Sequence, residues 1–419
     1  KEIDHLAAEP DLIVARMAPE KRTAAQKADL KKFFLDRYAA DLKKADGELA
    51  KLTKARDELN KEIPNTMVME EMVKPRDTFI LVRGNFQKKG EKVAPNVPSF
   101  LPRLSEGMPT NRLGMAEWLV STNHPLTSRV TVNRFWQMFF GTGIVKTMND
   151  FGSQGEWPSH PELLDWLATE FMARHWDIKS LLKTIVMSST YRQSSLVTPA
   201  LLERDRDNRL LSHGPRLRLD AEFVRDNALA ISGLLNSKLG GPSIKPYQPP
   251  GLWEMTDAKY EPSKGEDLYR RGIYVYWKRS AHYPSFATFD APNREICTAQ
   301  RPRTSTPLQS LVLMNDPVYV EAARAMAARI LREGGSDLAQ QLTYAFRLAL
   351  ARPPSPQELS ILEGTFQQQL HNFEEDKKAA GELLSVGELP KPKNANEPLL
   401  AAWTGVANVL LNLNETITK

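Results

Sequence analysis

The sequence predicts a mainly α protein: a multi-helix globular domain with a small β element and an N-terminal helical hairpin or coiled-coil arm. Three observations predict it. Apolar residues keep helical spacing through most of residues 111–413. The first 63 residues are highly charged and carry an apolar seam. β-like runs are confined to stretches near 66–94 and 272–278. The implied division is an arm over 1–63, a small β element with an extended linker over 64–110, and a main helical domain over 111–419.

In the arm, Leu42, Ala45, Leu49, Leu52, Leu59 and Ile63 keep heptad spacing, with Arg56 interrupting it. Leu30, Phe34 and Tyr38 predict a preceding helix, hence a hairpin. A surface helical pair and a partner-binding coiled coil both fit this pattern. Pro64 stops the arm. Thr66–Met69 and Thr78–Arg83 are β-like, with turn signals at Gly84-Asn85 and Lys89-Gly90, so two or three strands are expected. Pro95, Pro98 and Pro102 mark an extended exit.

Helical periodicity returns at Asn111. Leu113, Ala116, Trp118 and Leu119 share a face, and His124-Pro125 opens the next helix, closed by Gly141 and Gly143. Ser159-His160-Pro161-Glu162 has the form of a capping box with Pro in the first turn. Leu163, Leu164, Trp166, Leu167 and Phe171 follow at helical spacing. Asp177 caps a further helix through Met187, and Asp220 to Leu235 is another. Arg271 to Arg279 alternates like a strand, with Tyr274, Tyr276 and Lys278 on one face. Helices are expected over 307–314, 317–331, 338–350, 356–373 and 397–413. Glu374 to Asn396 reads as an exposed loop or frayed helix.

Composition narrows the function classes. With 41% hydrophobic and 26% charged residues over 419 positions, the chain can bury a sizeable core. No run approaches the roughly 18 apolar residues of a membrane span. The chain opens on Lys1 without a signal peptide and reads as a piece of a longer or processed protein. Cys297 is the sole cysteine, so neither an internal disulfide nor a CxxCH haem attachment can form; a buried apolar thiol is expected. Net charge is +5, but acids and bases are interspersed, which argues for a solvated surface over a nucleic-acid stripe.

The block PLTSRVTVNRFWQMFFGTGIVKTMNDFGSQGEWPSHPELLDWLATEF, from Pro125, resembles the signature of a family of planctomycete and verrucomicrobial proteins, the domain of unknown function 1553 or planctomycete surface domain 1. RDTFILVRGNF, RLRLDAEFVRDNALAISGLLN, FDAPNREIC, RTSTPLQSLVLMNDP, ARPPSPQEL and NVLLNLNE are similar to its other motifs. The resemblance implies the C-terminal region of a larger exported protein, periplasmic or at the cell surface. A cytochrome-c-like domain commonly stands upstream in full-length relatives; no cofactor is implied in this chain. The family supplies no catalytic residues to carry over.

The residues themselves suggest two polar constellations. Arg218, Glu222, Arg225 and Asp226 share a helix face with alternating charge, which suits either a polar pocket or an ion-pair network docking the helix. Asn133 and Arg134, with Gln137, lie among apolar residues, and Asp150, Gln154, Glu156 and His160 follow in the connector. Trp136 and Trp157 could wall a ligand site there; the alternative is that these groups cap helices and satisfy buried backbone. No HExxH or Cys/His cluster indicates a metal, and GxSxG, Walker A and dinucleotide fingerprints are missing. The Tyr274, Tyr276 and Lys278 face suits either stacking of sugars or bases, or a half-buried strand.

The reading is a non-catalytic binding or scaffold module whose partners are upstream domains, an envelope component or a polysaccharide. The alternative is a carbohydrate-active enzyme using carboxylates of the connector and of the Glu222/Asp226 helix. Because unpaired buried charge is costly, the polar motifs are expected to meet at one centre. Arg134, Arg218 and Arg225 would donate there, and Asp150, Glu222 and Asp226 accept. A closed centre would make Glu222→Ala cost roughly 3–5 kcal/mol.

Overall fold

The computed structural model describes residues 10–253 and 259–418, without the side chains of 10–12, 38 and 40. It is mainly α, with seventeen α-helices and one two-stranded sheet among the described residues. The chain divides into two compact units, residues 1–95 and 96–419.

In the first unit, α1 (Pro10–Arg16) and a short turn lead to α2 (Ala24–Tyr38) and α3 (Ala40–Glu62). Thr23 and Gln26 form a reciprocal capping box at the start of α2. Ala39 alone separates α2 from α3 and leaves helical geometry, at φ −140° and ψ 56°. The two helices turn back toward each other: Lys31 lies 4.0 Å from Asp46, and Lys43 bonds Asp36. Phe34 is half-exposed, and the side chain of Tyr38 lies outside the described residues. Beyond Pro64, β1 (Thr78–Leu81) pairs antiparallel with β2 (Lys89–Val93), Thr78 opposite Val93 and Leu81 opposite Lys89. Thr66–Met69 makes no strand despite its β-like composition. Its side chains are exposed, and without a neighbour to pack on, β propensity alone does not hold a strand.

The second unit opens with α4 (Arg112–Leu119), whose first amides are taken by Asn111 Oδ1 at 3.0 and 3.2 Å. The signature block folds as α5 (Thr127–Phe140) and α6 (Pro161–Ala173), followed by α7 (Ile178–Met187) behind its Asp177 cap. The expected capping box at Ser159 does not form. Helix α6 starts one residue later, with His160 at the cap position and Pro161 in the first turn. Ser159 is drawn instead to the Ile144 carbonyl, which accepts from its backbone amide at 2.9 Å. Val132, Trp136, Phe140, Leu164, Phe171 and Ile185 form a core of their own here, Trp136 stacking on Phe140 at 4.1 Å. Trp166 points the other way and is half-exposed.

Two short helices, α8 (Ser189–Arg192) and α9 (Pro199–Arg204), lead to α10 (Ala221–Ser232). The predicted strand at 271–279 is absent: Gly272–Tyr274 is a 3-10 turn, and only Val275 bridges to Ile244. Ile273 is exposed while Val275 is buried, so the alternation seen in the sequence is not a strand's two faces. Then come α11 (Pro284–Thr288), α12 (Pro307–Asn315), α13 (Pro317–Glu333), α14 (Leu338–Leu350) and α15 (Pro356–Glu375). Within the stretch expected to be an exposed loop or frayed helix, α16 (Lys377–Leu384) forms behind an Asp376 cap and buries Ala380 and Leu384 completely. The last helix is α17 (Glu397–Asn412). Helices α10 to α17 share the larger core, around Trp403, Met326, Phe346 and Leu410. Alanines on α13 and α17 let these two helix backbones approach closely.

Candidate functional site

The signature block builds its site by tying the loop after α5 back onto that helix. Asn133 is fully buried; its amide donates to the Val145 carbonyl at 2.9 Å and accepts from the Val145 amide at 2.8 Å. Asn133 is therefore spent on backbone, satisfying a loop that would otherwise bury an unpaired amide and carbonyl. Gly143 is what permits this: a Cβ there would come within 2.6 Å of the Asn133 amide. Asp150 holds its own turn, accepting from the Gly152 amide at 2.7 Å. Thr147 accepts from the Glu156 amide at 3.0 Å and donates to the Asp150 carbonyl at 2.7 Å. The connector is thus rigidly tied without regular structure.

Against this connector lies an open cavity of about 810 Å³. Phe151, Val145, Leu126 and Leu164 supply apolar wall; Arg129, Glu156 and Asp165 supply polar groups. Arg129 donates to Asp165 at 2.6 Å and to the Pro125 carbonyl at 2.7 Å, which fixes both side chains at the rim. Trp157, at the mouth, is 91% exposed, whereas Trp136 is buried in the core and does not line this cavity. His160 touches Ser159 Oγ at 3.0 Å, and Arg134 lies exposed on α5.

The second constellation goes elsewhere. Glu222 takes both terminal nitrogens of Arg301, at 2.7 and 3.2 Å, rather than Arg218 or Arg225. Arg218 reaches Gln309 and, at 3.1 Å, Ser305. Arg225 is fully buried and donates to the Arg270 and Leu268 carbonyls, both at 2.7 Å. Asp226 accepts from the Gly272 amide at 2.6 Å; burial raises its pKa, opposed by that amide and by Arg225. A Cβ on Gly272 would sit 3.0 Å from the Glu222 backbone, so glycine lets this turn lie closely against α10 and a side chain there would push the two apart by a few tenths of an ångström. Together these four residues clamp the loop at 268–272, and the irregular segment from Arg301 that leads into α12, onto α10 and the residues just before it.

The single polar centre expected from the sequence does not form. Arg218, Glu222, Arg225 and Asp226 gather partners from 268–309, while Asn133 and Asp150 serve the connector. Glu222 and Arg301 each keep part of their side chain in solvent, so the large penalty of a closed centre does not apply to this pair. The blocks do meet at an open groove of about 690 Å³, where Gln137 and Asn149 face Asp220, Arg301 and Arg303. Cys297, expected to be buried, is exposed.

Sequence reasoning missed one deeply buried polar cluster. Glu321 on α13, 1% exposed, accepts from the phenols of Tyr269 and Tyr247 at 3.0 and 3.2 Å and from the Leu389 amide at 2.6 Å. Arg324 donates to the carbonyls of Leu384, Val386 and Leu389 at 2.8, 3.1 and 2.7 Å. Burial and the neighbouring Glu321 raise both phenols above their ordinary range. The signal was available: Glu321 and Arg324 are the only two charges, three apart, within the otherwise apolar VYVEAARAMAA.

Among the described residues no three His, Cys, Asp or Glu are grouped to hold a metal ion, and no helix is long and apolar enough to cross a membrane. The PSD1 family, described as a protein of unknown function (DUF1553), matches residues 111–366, well over half of the chain. The chain belongs to this family. No curated protein and no solved structure matches it. The matched span begins at the cap of α4 and ends within α15, so it takes in both constellations and the cavity beside Trp157.

Proposed function

We propose that this DUF1553 chain is a non-catalytic binding or scaffold module that takes a saccharide in the cavity of its signature block. The carrying observation is Trp157, 91% exposed at the mouth of that cavity. A large exposed indole on a tied loop offers the flat apolar surface on which a pyranose face stacks. The Arg129–Asp165 pair and Glu156 stand beside it as planar partners for hydroxyl groups. An extracytoplasmic setting fits this ligand class and rests on the likeness of the motifs to exported proteins. Binding of this kind needs no cofactor held by the chain. The hydrolytic alternative finds less support, since Glu222 is engaged by Arg301 and Asp226 by the Gly272 amide.

Affinity electrophoresis in gels cast with soluble xylan, mannan, β-glucan or sulfated galactan tests the proposal. The wild-type chain is retarded by at least one of them, and Trp157→Ala weakens that retardation about tenfold, the value of one stacking contact of ~1.4 kcal/mol. Melting is unchanged, because the indole packs on little. Equal retardation of both proteins, or none of the wild type by any polymer, rejects a saccharide site at Trp157.

A further inference from the structure

Helix α3 is exposed at every position from Asp41 to Glu62. That includes its apolar seam: Leu49, Leu52 and Leu59 are 63%, 68% and 59% exposed. In proteins most of a helix's stability comes from packing its apolar face against a neighbour, and this face is left open. With Leu42, Leu49, Arg56 and Ile63 at the a positions and Ala45, Leu52 and Leu59 at d, the flanking e and g positions fall on Asp41, Asp46, Glu48, Thr53, Ala55, Asn60 and Glu62. Every charged flank is therefore acidic. Asp46 has Lys31 only at 4.0 Å, and Arg56 is bonded to its neighbour Asp57 at 2.8 Å.

This charge pattern separates the occupants. In a parallel pair with a second copy, Asp41 faces the other chain's Asp46, and Arg56 meets Arg56 in the seam. In an antiparallel pair, Asp41 faces Glu62. Each self-pairing opposes like charges, which works against the pairing. We infer that α3 docks a different helix, one with an apolar seam, Lys or Arg at its flanking positions, and an acid at the layer that meets Arg56. The occupant is an α-helical protein segment of basic amphipathic character. Coulomb steering of such a helix onto an acidic one also predicts strong dependence on ionic strength.

The test mixes the full chain with two synthetic helices about four heptads long. Both have Leu seams and one Glu placed opposite Arg56; one carries Lys at the flanking positions and the other Glu. Fluorescence anisotropy should show the Lys-flanked helix binding at least ~10-fold more tightly, the difference shrinking in 1 M salt. Leu49→Ser with Leu52→Ser should abolish binding without altering the melting of the second unit's helices. Asp41→Lys with Asp46→Lys and Glu48→Lys should reverse the preference toward the Glu-flanked helix, a result that loss of folding would not produce. Equal binding of the two helices, or no binding of either, overturns the inference. So does sedimentation of the chain alone as a dimer that the double serine variant dissolves, which would make a second copy the occupant.

Discussion

Helices α3 and α13 are both long and charged, yet they lie at opposite extremes of burial. Helix α13 is enclosed at eleven positions, including Glu321 and Arg324, whereas α3 is exposed from Asp41 to Glu62. The difference lies in what surrounds the charges. On α13, the surrounding chain shuts water out over the first turns, and the two buried charges there have to find protein partners: two phenols and an amide for Glu321, three carbonyls for Arg324. On α3, lysines and acids alternate around the helix and stay hydrated. Charge on α13 organises the fold; charge on α3 is available to something outside it.

Glu321→Ala probes the buried side of this contrast and should have the largest effect. It leaves Arg324 buried without its neighbouring countercharge and removes the acceptor of two phenols, so a loss of roughly 3–5 kcal/mol is expected. Urea unfolding would read it as a lower midpoint. A loss below about 1 kcal/mol would mean that water enters the cluster and that α13 is less different from α3 than its burial suggests.

Asp316, the cap of α13, should have an intermediate effect with a distinct pH signature. Its carboxylate accepts from the Val318 amide at 2.9 Å, yet burial pushes its pKa up to about 6. Because this value lies above the unfolded one, the folded state favours the protonated form. That contribution is complete below about pH 4 and is lost as pH rises to about 6. Asp316→Asn keeps an acceptor for the amide and removes the titration. It should be about 1–3 kcal/mol more stable than the wild type at pH 8 and nearly equal to it at pH 4, in melts run across that range. Parallel pH profiles for the two proteins would contradict the burial cost assigned to this carboxylate.

The smallest effect belongs to α3. Leu52→Ala and Leu59→Ala remove side chains that are mostly solvated, so each should change the stability of the dilute chain by less than about 0.5 kcal/mol. A loss above about 2 kcal/mol would show that the seam is packed in solution. With the Lys-flanked helix present, the same substitutions should become costly, which would sharpen the contrast further.

Local features of the chain were legible at sequence level where one residue type has one dominant use. Asp177 caps its helix because a short polar side chain reaches the free amides directly. The seam of α3 and the apolar faces of α5 and α6 follow from periodicity alone. Misreadings came where a residue had a distant competitor. Ser159 was drawn from a helix cap by the Ile144 carbonyl, and residues 272–274 were curled into a 3-10 turn whose amide Asp226 holds. The stretch 377–384, polar enough to read as an exposed loop or frayed helix, is an ordered helix, α16, because Asp376 caps it and Ala380 and Leu384 are buried in the larger core.

The sequence by itself determined the helical class, the seam of the arm and the motifs that place the chain among DUF1553 proteins, since these depend on spacing along one strand of chain. Only the tertiary structure decided which polar residues are consumed by the fold. Asn133, Arg225 and Asp226 are spent on backbone groups far away in sequence, while Trp157 is left in solvent beside a cavity. The reason is that burial depends on all neighbours at once. A charge or amide must bond whatever backbone the packing brings to it, and no local pattern specifies that partner.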